Sequence, residues 1–162
     1  MITNQHILYV VQVYLCSFQI IWCFSFYCQK IPLRFSKSQH LIGEFTLNGK
    51  TAVFLIDTGA SNSCVDKTRA DYFNLEAEGD NLPLQGAGQE KLFAQSSHKS
   101  SLYYLDKEIH HLSFMLIDMD TINAALAKQE EEKIDGIIGA DILHKKKAII
   151  DYHQCCLYLN ES

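Results

Sequence analysis

The sequence of 162 residues predicts an all-β domain with a few short helices. Short apolar runs recur along most of the chain and are separated by glycine, asparagine, aspartate and serine, which is the pattern of strands joined by turns. Asn48-Gly49 lies between two of these runs, and this dipeptide is the strongest short signal for a β-hairpin. A helical pattern is confined to short segments, of which residues 120–132 are the longest.

The first predicted strands lie on either side of this hairpin turn. Residues 31–35 alternate in polarity and predict an edge strand with Pro32 near its start. Residues 41–56 predict the hairpin, and its second strand, residues 51–56, is almost continuously apolar, so we expect both of its faces to be covered. Asp66 can then cap a short helix or turn over residues 66–73.

The later elements continue the same alternation of strands and turns. Residues 82–97 predict a hairpin whose tip contains two glycines, and the helix over residues 120–132 is predicted to be capped by Asp120 and to end in a solvated acidic run. Two further strands are predicted, within residues 99–106 and 109–119. Residues 134–146 predict a strand, a glycine turn and a short helix. Residues 148–159 predict two terminal strands joined by a turn near His153.

Composition excludes several classes of function. The net charge of -5 is spread along the chain without a basic stripe, so we expect no nucleic-acid partner. The six cysteines contain no C-x-x-C pair and do not suggest a disulfide framework, so we expect reduced thiols. The seven histidines show no metal-binding spacing, and no metal site is predicted.

The N-terminal segment, residues 1–29, differs from the rest of the chain, and we place a domain boundary between it and residues 30–162. Residues 7–28 contain no charge and are long enough to cross a bilayer as a helix. Basic residues follow directly, so a membrane anchor of this kind would leave the rest of the chain cytoplasmic. The alternatives are an extension that is not part of the working protein, which would leave the rest simply cytoplasmic, and a signal peptide, which fits poorly.

Asp57 follows one of the most apolar runs of the chain and begins the stretch Asp-Thr-Gly-Ala-Ser, residues 57–61. A carboxylate beside a buried strand is costly unless it is shared or hydrogen-bonded. Taken alone, Asp-Thr-Gly is more often a turn than a catalytic site. A second element of two apolar residues and a glycine, Ile137-Ile138-Gly139, lies downstream and precedes a short helical segment.

In this order the residues resemble the aspartic proteases. Because only one Asp-Thr-Gly occurs, the chain is most similar to the retropepsins and the retropepsin-like proteases of bacteria and eukaryotes, and less so to the two-lobed pepsins. The resemblance covers residues 30–159 and implies a retropepsin-like acid protease barrel with one lobe per chain. It departs from the viral enzymes in an insertion between Leu102 and Lys133 and in lacking a glycine-rich flap run.

The resemblance implies an aspartic endopeptidase with Asp57 as the catalytic residue. Peptide hydrolysis of this type needs two carboxyls that share a proton, one to activate water and one to protonate the carbonyl oxygen. A domain of about 130 residues is too short for two lobes, so the partner of Asp57 is expected to be Asp57 of a second chain. The enzyme would be a homodimer that acts on a protein or peptide substrate, with no metal and no organic cofactor.

Further site residues follow from the same resemblance. Thr58, Gly59, Ala60 and Ser61 would support the active-site loop; the Thr58 hydroxyl would brace it against the other subunit, and Ser61 would hydrogen-bond locally to help hold the carboxyl. The candidates for a flap that closes over substrate are Gln85, Gly86, Ala87 and Gly88. An ordinary surface hairpin is the alternative for that segment.

Other aspartates have simpler interpretations than catalysis. Asp118, Asp135 and Asp151 each follow an isoleucine, but none precedes Thr-Gly or Ser-Gly. Asp135-Gly136 predicts a turn, and Asp141 predicts a cap for a short helix.

Two other functions remain open at this point. One is a catalytically silent dimer of the retropepsin fold that binds peptides or a partner protein; the intact Asp-Thr-Gly argues against it. The other is a small membrane protein in which the N-terminal segment carries the function and the β-domain is a scaffold.

Overall fold

The predicted all-β class with a few short helices is confirmed by a computed structural model, which describes residues 28–84 and 92–160. In chain order, the strands of these residues are β1 (Cys28–Pro32), β2 (Arg34–Phe35), β3 (Leu41–Leu47), β4 (Lys50–Ile56), β5 (Cys64–Asp66), β6 (Ala77–Leu84), β7 (Leu92–Ser97), β8 (Ser100–Tyr104), β9 (Lys107–Leu112), β10 (Met115–Ile117), β11 (Gly136–Ile138), β12 (Ile149–Asp151) and β13 (Cys156–Asn160). The helices are α1 (Asp120–Ala127) and α2 (Ala140–Lys145), and a 3-10 helix spans Lys67–Arg69.

The predicted hairpin is the antiparallel pair β3–β4. Its register runs without a break from Leu41 opposite Ile56 to Leu47 opposite Lys50. Asn48 and Gly49 connect the strands with φ angles of 47° and 81°. Both values are positive, as a type I′ turn requires, and the turn matches the twist of the strands it joins.

The larger sheet brings the two predicted active-site elements side by side. Its strand order is β6-β7-β10-β5-β11-β4-β3-β8-β9, and β2 pairs with β3. β4 and β11 are parallel, with Ile56 opposite Ile138. Because parallel neighbours end at the same edge of a sheet, the chain leaves both strands at one place, and Asp57 and Gly139 are the next residues.

Apolar packing holds β4 from both sides, as its sequence predicts. Phe54 is fully buried and contacts Phe45 edge-on at a centroid distance of 5.8 Å and Phe114 at 6.0 Å. Leu55 points the other way and belongs to a second buried cluster that includes Ile137. The strand before Asp57 is therefore fixed on both faces, which gives the carboxyl a rigid base.

A separate three-stranded sheet has the order β1-β13-β12. The prediction of a single edge strand over residues 31–35 is wrong, because these residues belong to two sheets. The chain passes from the small sheet to the large one at Leu33. The Leu33 N–H donates a hydrogen bond to the Cys155 carbonyl at 2.8 Å. β1 begins at Cys28, two residues before the predicted domain boundary. The predicted turn near His153 is confirmed, since it joins β12 to β13.

The helix predicted over residues 120–132 is shorter than expected. The helix ends at Ala127. Beyond it, Glu130 adopts the left-handed conformation with a φ of 57°, and the Glu131 N–H donates to the Leu126 carbonyl. This arrangement is a common way for a helix to terminate. At its start, Asp118 and not Asp120 accepts a hydrogen bond, from the Asp120 N–H at 3.0 Å.

The acidic run after α1 is also less solvated than predicted. Glu131 has a side chain only 9% exposed and pairs with Arg34 at 3.4 Å, and Glu132 pairs with the same guanidinium at 3.0 Å. Glu130 pairs with Lys37. These ion pairs attach the end of the helical segment to β2 and the loop that follows it.

The predicted membrane anchor, residues 7–28, lies outside the described residues except for Cys28. Among residues 28–84 and 92–160, no helix has the length and apolar character needed to span a bilayer.

Candidate active site

Asp57 is positioned by the end of the parallel pair β4–β11. Its N–H donates to the Ile138 carbonyl at 3.0 Å, which continues the ladder by one residue beyond β4. The side chain is half-buried, whereas Ile56 before it is buried. The carboxyl therefore lies at the point where the apolar sheet meets solvent.

The loop after Asp57 turns back on the carboxyl. Gly59 donates its N–H to Asp57 Oδ1 at 2.8 Å, and the Ala60 N–H bonds the Asp57 carbonyl at 3.3 Å. A hydrogen bond of this kind fixes the orientation of the carboxyl group. Oδ2 accepts no hydrogen bond within the described residues of one chain.

Gly139 allows the second element to approach this loop closely. A Cβ on Gly139 would lie 2.6 Å from the Ala60 carbonyl oxygen and 2.9 Å from the carbonyl carbon of Asn62. Both atoms belong to the backbone and cannot move aside without moving the loop. The contact is completed by the Ala140 N–H, which donates to the Ala60 carbonyl at 2.8 Å.

The buried Ser63 and the partly buried Asp141 hold the two elements together. Ser63 Oγ donates to Asp141 Oδ1 at 2.6 Å, and the Ser63 N–H donates to Asp141 Oδ2 at 3.0 Å. The same hydroxyl accepts the Gly139 N–H at 2.9 Å. Asp141 was predicted only as a helix cap, and the sequence gives no signal that its partner is a serine 78 residues earlier.

The bond predicted for Ser61 to the Asp57 carboxyl is not present within the described residues of one chain, and the serine that ties the two elements together is Ser63. Ser61 and Thr58 are exposed, and neither side chain forms a hydrogen bond within the described residues of a single chain. Ser63, two residues further on, is 1% exposed. Residues 61 and 62 form a bend before β5, and this irregular backbone leaves Ser61 exposed while Ser63 is buried.

Asp135 corrects the prediction of a simple turn at Asp135-Gly136. Its Oδ2 accepts the Val53 N–H at 2.9 Å, and its Oδ1 lies 2.9 Å from Arg69 Nε. Gly136 is the first residue of β11, where a Cβ would lie 2.4 Å from the Cys64 carbonyl oxygen. The aspartate thus ties β4 to the 3-10 helix, and the glycine lets three strands pack closely.

A model of one protein family, described as aspartyl protease, matches residues 43–142, which is 100 of the 162 residues. The match includes Asp57 with its loop and the Ile137-Ile138-Gly139 element. The chain belongs to the aspartyl protease family. No curated protein sequence matches it.

Solved structures place this aspartyl protease in the retropepsin-like fold. A retropepsin-like aspartic protease from Rickettsia conorii superposes with a TM-score of 0.53 and 18% identity, covering 82% of this chain and 91% of that one. The retroviral protease-like domain of Ddi1 from Leishmania major gives a TM-score of 0.53 and 19% identity, covering 76% and 90%. The predicted family and fold are confirmed.

The flap candidates of the aspartyl protease, residues 85–88, lie outside the described residues. The strands that lead to them are described: β6 and β7 are antiparallel, with Leu84 opposite Leu92. A register shift between Glu78 and Leu82 interrupts the pair. The predicted hairpin is thus confirmed in its strands, and its tip stays a prediction.

Two cavities among the described residues lie away from Asp57. One of 470 Å³ lies against β3 and is lined partly by Arg34, Glu44 and Tyr104. Another, of 620 Å³, lies between the segment after the 3-10 helix and the β6–β7 pair. Asp57 itself is half-buried and begins a loop whose next two residues are exposed.

Cys64 lies beneath the loop, and its environment makes its thiol inert. Burial, together with the smaller effect of the negative charges of Asp141 and Asp57, raises the pKa of Cys64 from 9.0 to about 12, although a hydrogen bond with the Ile137 backbone acts in the opposite direction. Thiolate is the reactive form of cysteine. The aspartyl protease therefore keeps an uncharged sulfur next to its carboxylates.

This raised pKa predicts a specific dependence of stability on pH. In the unfolded chain Cys64 ionises near pH 9, whereas in the folded chain it stays neutral until about pH 12. Its contribution to stability is present below pH 9 and is lost as pH rises toward 12. The unfolding free energy of the parent, measured by urea denaturation, should fall between about pH 8 and pH 10. We expect the corresponding fall in Cys64→Ala to be smaller, because the variant lacks the thiol. Equal losses in parent and variant would contradict the assignment.

Proposed function

We propose that the protein is an aspartic endopeptidase that works as a homodimer, with water activated between two Asp57 carboxyls. The observation that carries the proposal is the Asp57 carboxylate: Gly59 orients Oδ1, while Oδ2 has no partner within the described chain and the loop is exposed. A second carboxyl beside it would share a proton, because two adjacent carboxylates cannot both ionise cheaply. One would then act as base toward water and the other as acid toward the carbonyl oxygen.

The arrangement of the loop supports acid–base chemistry on a peptide bond. The Gly59 N–H fixes the orientation of the Asp57 carboxyl through Oδ1, which leaves Oδ2 available to the carboxyl of a second chain. The titration would belong to the dyad and not to either Asp57. Water is the nucleophile and no covalent intermediate forms.

Cleavage of a diverse peptide library by the full-length chain, between about pH 4 and pH 8, tests the proposal. The Asp57→Asn variant is assayed in parallel. Cleavage by the parent alone supports the peptidase and gives its side-chain preference. A folded dimer that cleaves nothing would instead favour the alternative, a silent dimer of the same fold that binds peptides or a partner protein.

Dilution provides a separate prediction. Since each chain carries one Asp57-Thr58-Gly59 sequence, monomers would be inactive, and specific activity should fall once the chain is diluted below its dimer dissociation constant. The measurement is initial rate per mole of chain over a wide range of enzyme concentration. Specific activity that stays constant down to concentrations where sedimentation shows only monomer would contradict a shared site.

Three further parts of the proposal concern the rest of the chain. Residues 85–88 would form a flap that closes over substrate and excludes water. Thr58 would brace the loop against the partner subunit. Residues 7–28 would anchor the protein in a membrane with the protease domain, residues 30–162, on the cytoplasmic side.

A further inference from the structure

The cavity of 470 Å³ against β3 lies where this strand has no partner on one side. β2 pairs with β3 at Leu41 and Ile42, and β8 pairs with it at Thr46 and Leu47. Residues 43–45, between these two contacts, have no neighbouring strand on this side within the described part of the chain. We call the space between β2 and β8 the β3 cavity. Its volume is within the range of about 300–1,000 Å³ that is typical of ligand sites.

The backbone of Glu44 faces the β3 cavity. The Asn48 N–H donates to the Ser101 carbonyl at 3.0 Å, on the β8 side of the strand. Backbone groups of an antiparallel strand point to the same side at every second residue. The N–H and carbonyl of Glu44, four residues before Asn48, therefore point to the side where no strand lies. An open stretch of this kind can hydrogen-bond an extended segment of another protein.

Apolar side chains form the floor of the β3 cavity. Leu33, Phe45 and Tyr104 line it, and the rings of Phe45 and Tyr104 meet edge-on at a centroid distance of 6.5 Å. Leu105 extends this surface into solvent with 75% of its own area exposed. Gly43 makes room for the floor, because a Cβ there would lie 2.9 Å from Leu33 Cδ2 and 2.9 Å from Phe45 Cε2.

The polar rim of the β3 cavity has a surplus of negative charge. The Arg34 guanidinium lines the cavity but is already paired with Glu131 at 3.4 Å and with Glu132 at 3.0 Å. Glu44 is exposed, and its carboxylate forms no ion pair or hydrogen bond within residues 28–84 and 92–160. One cation thus lies beside three carboxylates. The complement of an apolar floor with an unpaired carboxylate at its rim is a long side chain that ends in a cation.

We propose that the β3 cavity binds an arginine side chain, presented by an extended segment of a partner protein. The guanidinium would pair with the Glu44 carboxylate and lie against the Tyr104 ring. The aliphatic stem would pack on Leu33 and Leu105, and the backbone of the segment would bond the N–H and carbonyl of Glu44 that face the cavity. Arginine fits better than lysine, because its planar guanidinium pairs with a carboxylate through two hydrogen bonds and stacks on aromatic rings.

The β3 cavity is separate from the Asp57 loop. Glu44 is opposite Val53 across β3–β4. Val53 precedes Asp57 by four residues, which is roughly 13 Å along the strand. An arginine bound beside Glu44 would not contact the Asp57 carboxyl, so the interaction goes beyond the proposed function and does not depend on peptide cleavage.

The first test compares two fluorescein-labelled peptides on the full-length Asp57→Asn chain, a background chosen so that neither peptide is cleaved. One probe has the sequence Gly-Leu-Arg-Leu-Gly, with a C-terminal amide. The other has citrulline in place of arginine, which keeps the shape of the side chain and removes its charge. We expect the arginine peptide to bind about fivefold or more tightly, measured by fluorescence anisotropy.

Glu44→Gln should remove the difference between the two peptides. This substitution keeps the size of an exposed side chain and is expected to leave the fold intact, which circular dichroism checks. The matched control is Glu78→Gln, since Glu78 is also an exposed glutamate but belongs to β6, at the far edge of the same sheet. It should leave both dissociation constants unchanged.

Three results would overturn the proposal. They are no binding of the arginine peptide at millimolar concentration, equal dissociation constants for the arginine and citrulline peptides, and an equal loss of affinity in Glu44→Gln and Glu78→Gln.

A second test locates the bound peptide without changing Glu44. Leu105→p-benzoylphenylalanine, at the mouth of the β3 cavity, should photo-cross-link to the arginine peptide and much less to the citrulline peptide. The same group at Phe93, which is 55% exposed and belongs to β7, should give no cross-link. Cross-linking of the arginine peptide at position 93 that equals or exceeds that at position 105 would contradict binding in the β3 cavity.

Discussion

Replacing Asp57 with asparagine is expected to abolish peptide cleavage and to leave the dimer folded. The amide keeps the size of the side chain and can still accept the Gly59 N–H bond at Oδ1, which measures 2.8 Å in the parent. It can neither take a proton from water nor give one to the carbonyl oxygen. Loss of acid–base catalysis of this kind lowers kcat on the order of 10³-fold or more.

The thermal midpoint of Asp57→Asn should equal or exceed that of the parent. Two carboxylates close together in the dimer repel each other, and the amide removes that repulsion. The measurements are kcat on the preferred peptide and thermal unfolding followed by circular dichroism. A matched control is Asp71→Asn, which changes an exposed aspartate outside the loop and should keep full activity. Retained cleavage in Asp57→Asn would rule out the proposed catalytic residue.

Gly139→Ala has the second largest expected effect on peptide cleavage, because the added methyl group would press against the backbone of the loop that follows Asp57. Its methyl group would lie 2.6 Å from the Ala60 carbonyl oxygen, so the loop must shift by several tenths of an ångström or more. Overpacking of this kind costs about 1–3 kcal/mol of unfolding free energy. A displaced carboxyl lowers activity on the order of 10²-fold, since acid–base pairs depend on alignment.

The control for Gly139→Ala must be destabilised without touching the loop. Leu47 is fully buried and lies next to the hairpin turn, at the opposite end of β3–β4 from Asp57. Leu47→Ala should cost about 2–5 kcal/mol but keep its kcat well below the unfolding temperature. If Gly139→Ala kept kcat as well, close approach to Ala60 would not be needed for catalysis.

Local signals in the sequence predicted much of this fold. The Asn48-Gly49 turn, the continuous apolar strand before Asp57 and the Asp66 cap depend on neighbours within a few residues, and all three are present. Asp66 Oδ1 accepts the Thr68 N–H at 3.0 Å, as a capping residue should.

Predictions failed where a residue's partner is distant in sequence. Asp135 and Asp141 have the local signature of a turn and a cap, but their carboxyls also accept hydrogen bonds from Val53 and Ser63, more than 75 residues away. Glu131 lost its predicted solvation because Arg34 lies beside it in the fold. The spacing of residues along the chain carries no information on contacts between distant residues. The resemblance to the family does, because it predicted that the Asp57 loop and the element ending in Gly139 belong to one site.

The pairing of β4 with β11 has a consequence for synthesis of the protein. Ile56 and Ile138 are neighbours in the sheet but 82 residues apart in the chain, and pairings with such long loops form slowly. The Asp57 carboxyl can be held in place only after β11 and α2 have left the ribosome. A nascent or C-terminally truncated chain is thus expected to carry the Asp57 motif without the contacts from β11 and α2 that hold its loop in place.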